Sequence, residues 1–187
     1  MAYYCSALVL LVLLTACAPM SASRGGLLSE FAGISERHEN WVFQGRLAVA
    51  DDQDSASMSI EWQHNGNKDQ IDLSGPLSQG RVILIVTPEQ VIVDDGESRT
   101  TYDGSPENVM REQFGMEIPV DSLRYWVLGG ADPNLQAVSQ EGGFYQAGWL
   151  VRYSELQAVS SGALPRKISA VRDKTRIKLV IDQWNLL

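Results

Sequence analysis

Residues 57–73, Ser-Met-Ser-Ile-Glu-Trp-Gln-His-Asn-Gly-Asn-Lys-Asp-Gln-Ile-Asp-Leu, decide the fold of this chain. Met58, Ile60 and Trp62 alternate with Ser57, Ser59 and Glu61, so one side of the segment is dry and the other wet. Asn65-Gly66-Asn67 supplies turn chemistry, and Ile71 and Leu73 then resume the alternation. Two such runs around a glycine turn predict an antiparallel hairpin with one buried face.

The same period extends outward in both directions. Val91 and Val93 precede a turn at Asp94-Asp95-Gly96, Trp149, Val151 and Tyr153 oppose Arg152, and Ile177, Leu179 and Ile181 oppose Lys178 and Asp182. Val82-Ile83-Leu84-Ile85-Val86 breaks the pattern by being apolar on both sides, which predicts a strand covered on both faces. Candidates for a cover lie between Ser105 and Leu128. Ser105-Pro106 reads as an N-cap followed by proline in the first turn, with Val109, Met110, Gln113 and Phe114 on one face and a stop at Gly115. A second helix starts near Pro119 to Ser122, carries Leu123, Trp126 and Val127, and stops at Gly129-Gly130. The prediction is a mainly antiparallel β protein with two short helices. Its tryptophans, Trp41, Trp62, Trp126, Trp149 and Trp184, are better read as core packing than as ligand contacts.

At the amino end, an uncharged apolar run from Cys5 closes on Leu14-Thr15-Ala16-Cys17. It is too short to span a bilayer and reads as a signal-peptide core ending in a bacterial lipoprotein processing site. Met1-Ala2-Tyr3-Tyr4 lacks the usual Lys or Arg, which suggests a start codon upstream. The expected organisation is a signal peptide over 1–16, an acylated and flexible tether over 17–26, and one folded domain over 27–187. The domain opens with an amphipathic helix from Leu27 to about His38. After processing, Cys17 is the only cysteine, so the core must hold the fold without a disulfide.

Acidic residues number 23 against 15 basic, with no cluster of Lys and Arg among aromatics, which argues against nucleic acid and against polybasic adhesion to membranes. His38 and His64 lie in no spacing that suggests a base or a metal site, and no Gly-x-Ser-x-Gly elbow or phosphate-cradling glycine loop occurs. Asp51-Asp52 and Asp94-Asp95 read as solvated turn residues. No catalytic residue, metal or cofactor is expected. Gly75-Pro76-Leu77-Ser78-Gln79-Gly80 places a leucine at a loop tip, either folded back on the core or exposed as an apolar finger.

Trp41 to Val49 (Trp-Val-Phe-Gln-Gly-Arg-Leu-Ala-Val), then Ser59-Ile60-Glu61-Trp62 and Gly75-Pro76-Leu77, resemble the LolB family of outer-membrane lipoprotein receptors. The order continues through Pro119 to Gly129, Gln146 to Tyr153, Leu164-Pro165, Ile177-Lys178-Leu179 and Trp184. The resemblance implies an incomplete, strongly curved antiparallel β-barrel with short α-helices covering an apolar cavity. It implies a protein anchored by N-acyl and S-diacylglycerol groups on Cys17 at the periplasmic face of the outer membrane, with Ala18 after the cysteine instead of an inner-membrane retention aspartate. Its implied partners are the periplasmic carrier LolA, client lipoproteins and outer-membrane phospholipid, and a monomer is expected. Leu77 takes the membrane-insertion assignment, although Ser78-Gln79 stand where the family more often has glycine. Alternation assigns Met58, Ile60, Trp62, Ile71 and Leu73 to the acyl-chain cavity, with Trp126 from the cover. The alternatives are a carrier of envelope lipid or another hydrophobic ligand, and a tethered assembly scaffold; an enzyme ranks last.

Overall fold

The computed structural model describes residues 39–75, 80–115, 117–160 and 162–187. Eleven strands make one antiparallel sheet. They are β1 (Asn40–Ala50), β2 (Ser55–Asn65), β3 (Lys68–Ser74), β4 (Val82–Val86), β5 (Val91–Asp94), β6 (Arg99–Tyr102), β7 (Ala137–Gln140), β8 (Gly143–Gln146), β9 (Trp149–Val159), β10 (Gly162–Arg172) and β11 (Thr175–Leu186). Two helices, α1 (Pro106–Phe114) and α2 (Val120–Trp126), lie between β6 and β7.

Their place in the chain explains what they cover. The strand order is β6-β5-β4-β3-β2-β1-β11-β10-β9-β8-β7, so the first and last strands pair in the middle while β6 and β7 form the two open edges. The connection from β6 to β7 therefore runs from one edge of the sheet to the other, and it carries both helices. It crosses the apolar face because only that face offers the helices something to bury. Val109, Met110, Val120, Leu123 and Trp126 join one core with Trp41, Phe43, Trp62, Leu84, Val151 and Ile181 of the sheet. Each such side chain contributes about 1.5–3 kcal/mol on leaving water.

Local chemistry sets the strand ends and the bends. Asn65 pairs with Lys68, leaving Gly66-Asn67 as a two-residue loop, and Gly66 has φ 61°, the conformation a type II′ turn requires at that position. The register between β1 and β11 slips at Gln44/Gly45, and that between β9 and β10 slips around Pro165 to Ile168; such bulges bend the strands that carry them. At Gly45 a Cβ would stand 2.3 Å from the Val180 carbonyl oxygen, so the bend needs glycine. Ser105 caps α1 by accepting from the Asn108 N–H, and Gly115 ends it at φ 64°.

The sheet is open, with two free edges, and does not close into a barrel. The strand Val82–Val86 corrects one expectation. Leu84 and Val86 are buried under the helices, but Ile83 and Ile85 are only half-buried on the outer side. The cover lies on one face alone, and the outer isoleucines shelter against strand neighbours, Ile85 opposite Ile92. Gln113, expected on the packed side of α1, is exposed. The acidic pairs are turn residues as read: Asp51 accepts from the Gln53 and Asp54 N–H groups, and Asp95 from those of Glu97 and Ser98. These backbone hydrogen bonds hold both carboxyls below their ordinary range.

Candidate functional site

The concave face and its helical cover enclose a void of about 10 Å³. Leu47, Ile60, Trp62, Ile71, Leu73 and Leu84 line it from the sheet, and Met110, Ile118, Val120 and Leu123 from the cover. A space of that size holds a single water at most, so the interior is filled by the protein's own side chains. An acyl chain enters only if the cover moves. Of the six residues assigned to the cavity by alternation, Ile60, Trp62, Ile71 and Leu73 line the void. Met58 is half-buried on the same side, at the margin of the core. Trp126 is fully buried in the same core but does not line the void; its ring neighbours are Phe144 at 6.2 Å and Trp149 at 6.1 Å between centroids. Cys17, Leu77 and the predicted helix from Leu27 to His38 lie outside the described residues.

What fastens the cover is polar and was not singled out from the sequence. Asp69 is fully buried in β3, where its Oδ1 accepts from Trp62 Nε1 at 2.9 Å and meets His64 Nδ1 at 2.7 Å. Arg124 of α2 approaches Oδ2 to 3.2 Å as an ion pair without hydrogen-bond alignment, and its Nη2 also reaches Asp121 at 2.7 Å. Burial raises the Asp121 carboxyl against the opposing pull of Arg124. Trp41 stacks on the His64 ring at 5.2 Å, so the tie rests on a packed aromatic wall.

Further hydrogen bonds hold α2 to β8, β9 and the chain that follows it. Trp126 Nε1 donates to Gln146 Oε1 at 2.9 Å, and the same amide spends its remaining capacity on the Asp132 N–H, the Asp132 carbonyl and the Leu135 carbonyl. Ser122 Oγ donates to Asp132 Oδ2, and the Tyr153 hydroxyl donates to the Trp126 carbonyl at 2.9 Å. Burial pushes the Tyr153 phenol far above its ordinary value, which keeps it a donor at any physiological pH. Helix α1 has looser ties. Arg172 of β10 reaches Glu107 at 2.9 Å and Glu117 at 3.0 Å while lying 4.5 Å above the Trp149 ring, and all three charged groups are partly exposed. Glycines with positive φ flank the helix, Gly104 at 124° and Gly115 at 64°. Arg172→Met is therefore expected to cost about 1–2 kcal/mol, discounted for solvent. Hydrogen exchange should quicken in α1 and stay unchanged in α2; equal quickening in both would show that the two helices move as one.

The family model described as outer membrane lipoprotein LolB matches residues 39–184. The chain belongs to the LolB family. An outer-membrane lipoprotein LolB of Nitrosococcus oceani is 30% identical across 96% of this chain and 95% of its own length, and one of Xylella fastidiosa is 33% identical across 81% and 74%. Among solved structures, a LolA-superfamily protein from Nitrosomonas europaea shares the fold, with a TM-score of 0.56 at 10% identity over 86% of this chain and 92% of that one. The matched span covers both helices and all of the sheet but the last two residues of β11, so the LolB family assignment and the covered concave face refer to the same body. It is an outer-membrane lipoprotein of a lipoprotein-localisation family, mainly β, with an open half-barrel sheet.

Proposed function

We propose that this chain accepts lipoproteins from the periplasmic carrier LolA and inserts them into the inner leaflet of the outer membrane, with its own Cys17 acylated on the periplasmic side. The observation that carries the reading is an apolar layer of ten side chains that meet between the sheet and its cover. Acyl chains that cross an aqueous space need an apolar host at each step, since every buried methylene contributes about 0.8 kcal/mol. When the cover lifts, Ile60, Trp62, Ile71 and Leu73 offer such a host, with Met58 at its margin. Trp126 acts as the fixed post of the cover. The host binds acyl chains more tightly than the carrier does, and the bilayer binds them more tightly still, so transfer runs downhill without nucleotide.

The test mixes the Cys17→Ser chain, free of its own lipid, with lipoprotein-loaded carrier. Lipoprotein should move to this chain. Lipoprotein that stays on the carrier at equal concentrations contradicts the proposal.

A further inference from the structure

The balance of 23 acidic to 15 basic residues conceals a division along the chain. Residues 149–187 carry seven Lys or Arg against three Asp or Glu, while the preceding 148 carry eight against twenty. The sheet gathers part of this basic surplus on its outer face. Ser169 pairs with Lys178 on one side and with Arg152 on the other, so the two cations stand two strands apart, about 10 Å. Arg176 lies two residues before Lys178 on the same face, about 7 Å along the strand. All three are exposed, and among the described residues none has an ion-pair partner. The other cations of this region are engaged: Arg166 and Lys167 with Glu155, Arg172 with Glu107 and Glu117, and Lys174 with Asp52.

Beside the cations runs an apolar row. Val138 pairs with Tyr145, Tyr145 with Leu150, Leu150 with Val171, and Val171 with Arg176, all on the outer face. Val138 is 60% exposed, Tyr145 48% and Val171 38%. This row lies toward the end of the sheet where β1 turns into β2 and β10 into β11, since Arg176 pairs with Ala50. Strand β3 ends and β4 begins at that same end.

We propose that the outer face of β8 to β11, with Arg152, Arg176 and Lys178 beside Tyr145, Leu150 and Val171, is a docking surface for anionic phospholipid. Cations next to a half-exposed aromatic and aliphatic row match a headgroup layer, where phosphates meet the charges and the apolar groups sink to the boundary. The acidic remainder of the domain is repelled by the same surface, so the charge division also orients the body on it. The proposal uses the outer-membrane location of the family and is independent of the receptor reading. Failure of transfer leaves it standing, and its own failure leaves transfer untouched.

Flotation of the Cys17→Ser chain with vesicles tests it. The chain should float with vesicles of phosphatidylethanolamine and phosphatidylglycerol in about 0.1 M salt and be released in about 1 M, where the screening length falls from about 10 to about 3 Å. Lys178→Gln should lower partition about fivefold, the share of one cation at an anionic surface, and Arg152→Glu with Lys178→Glu should abolish it. Tyr145→Ser should weaken it at unchanged salt dependence. Arg99→Gln, an exposed cation on the far edge strand, should change nothing. Equal binding to phosphatidylcholine vesicles, no binding to either, or equal effects of Arg99→Gln and Lys178→Gln would overturn the proposal. Unchanged circular dichroism of each variant keeps the comparison on the surface.

Discussion

Asp69→Leu should cost about 3 kcal/mol of folding stability, because it leaves the buried Trp62 Nε1 without its acceptor and takes one of two carboxylates from the partly exposed Arg124, which keeps Asp121. For a domain of this size the melting temperature should fall by roughly 10 °C, at about 2–4 °C per kcal/mol. The double variant Asp69→Leu with Arg124→Met should be less destabilised than the sum of the two single variants, because the ion pair is removed as a whole, while Trp62 Nε1 stays without its acceptor. Chemical denaturation of the two single variants and the double closes the cycle. A double variant no better than the sum of the singles would show that Asp69 and Arg124 are not coupled. Asp69→Leu should also raise uptake of an environment-sensitive apolar dye, because α2 then keeps only its Gln146, Asp132 and Tyr153 anchors. An unaltered dye response in a destabilised protein would mean that Asp69 secures the sheet and not the cover.

Leu77→Glu carries the second large effect, on function instead of stability. In the chain Leu77 stands between β3 and β4, whose Ser74 and Val82 ends lie at the end of the sheet shared by the β1–β2 and β10–β11 turns. Transfer from the carrier to this chain should proceed at the normal rate, while release into the bilayer slows by roughly 30- to 150-fold, the equivalent of the about 2–3 kcal/mol that one leucine contributes on leaving water. Kinetics of lipoprotein movement into vesicles, followed separately from movement off the carrier, distinguishes the two steps. A normal rate of insertion would place Leu77 on the core and not on the membrane.

Much of the sheet was legible because a half-wet strand writes its two faces in alternate residues. Trp41, Trp62, Trp126 and Trp149 are buried to within 1% exposure, as the core reading of the tryptophans requires. Helix α1 announced itself through Ser105, Pro106 and Gly115, residues whose backbone chemistry is local. Less legible was the outer side of Val82–Val86. Five apolar residues in a row state that both faces are apolar but not that both are covered, and here only the helix side is.

The ties between sheet and cover escaped because Asp69 and Arg124, like Gln146 and Trp126, stand far apart in sequence. Asp69 nevertheless left a mark. It holds the inward phase of β3 with Ile71 and Leu73, and a carboxylate at a dry position demands a buried partner. Gln146, in the inward phase of β8 with Phe144, left the same mark for the α2 anchor. Neither residue names its partner, since Arg124 and Trp126 reach the sheet only through an edge-to-edge connection whose path follows from the strand order. The basic outer face was hidden by a different cause: net charge averages over a chain that the fold sorts by face.

Site-specific photocrosslinking locates the acyl chains, which the proposed function puts between the concave face and the cover. Benzoylphenylalanine placed at position 71 or 73 of the Cys17→Ser chain, irradiated after mixing with lipoprotein-loaded carrier, should form adducts on the acyl chains of the transferred lipoprotein. The same group at position 59 or 61, on the outer side of β2, should form none. Adducts of equal yield from both sides, or adducts on the protein part of the client alone, would contradict the account.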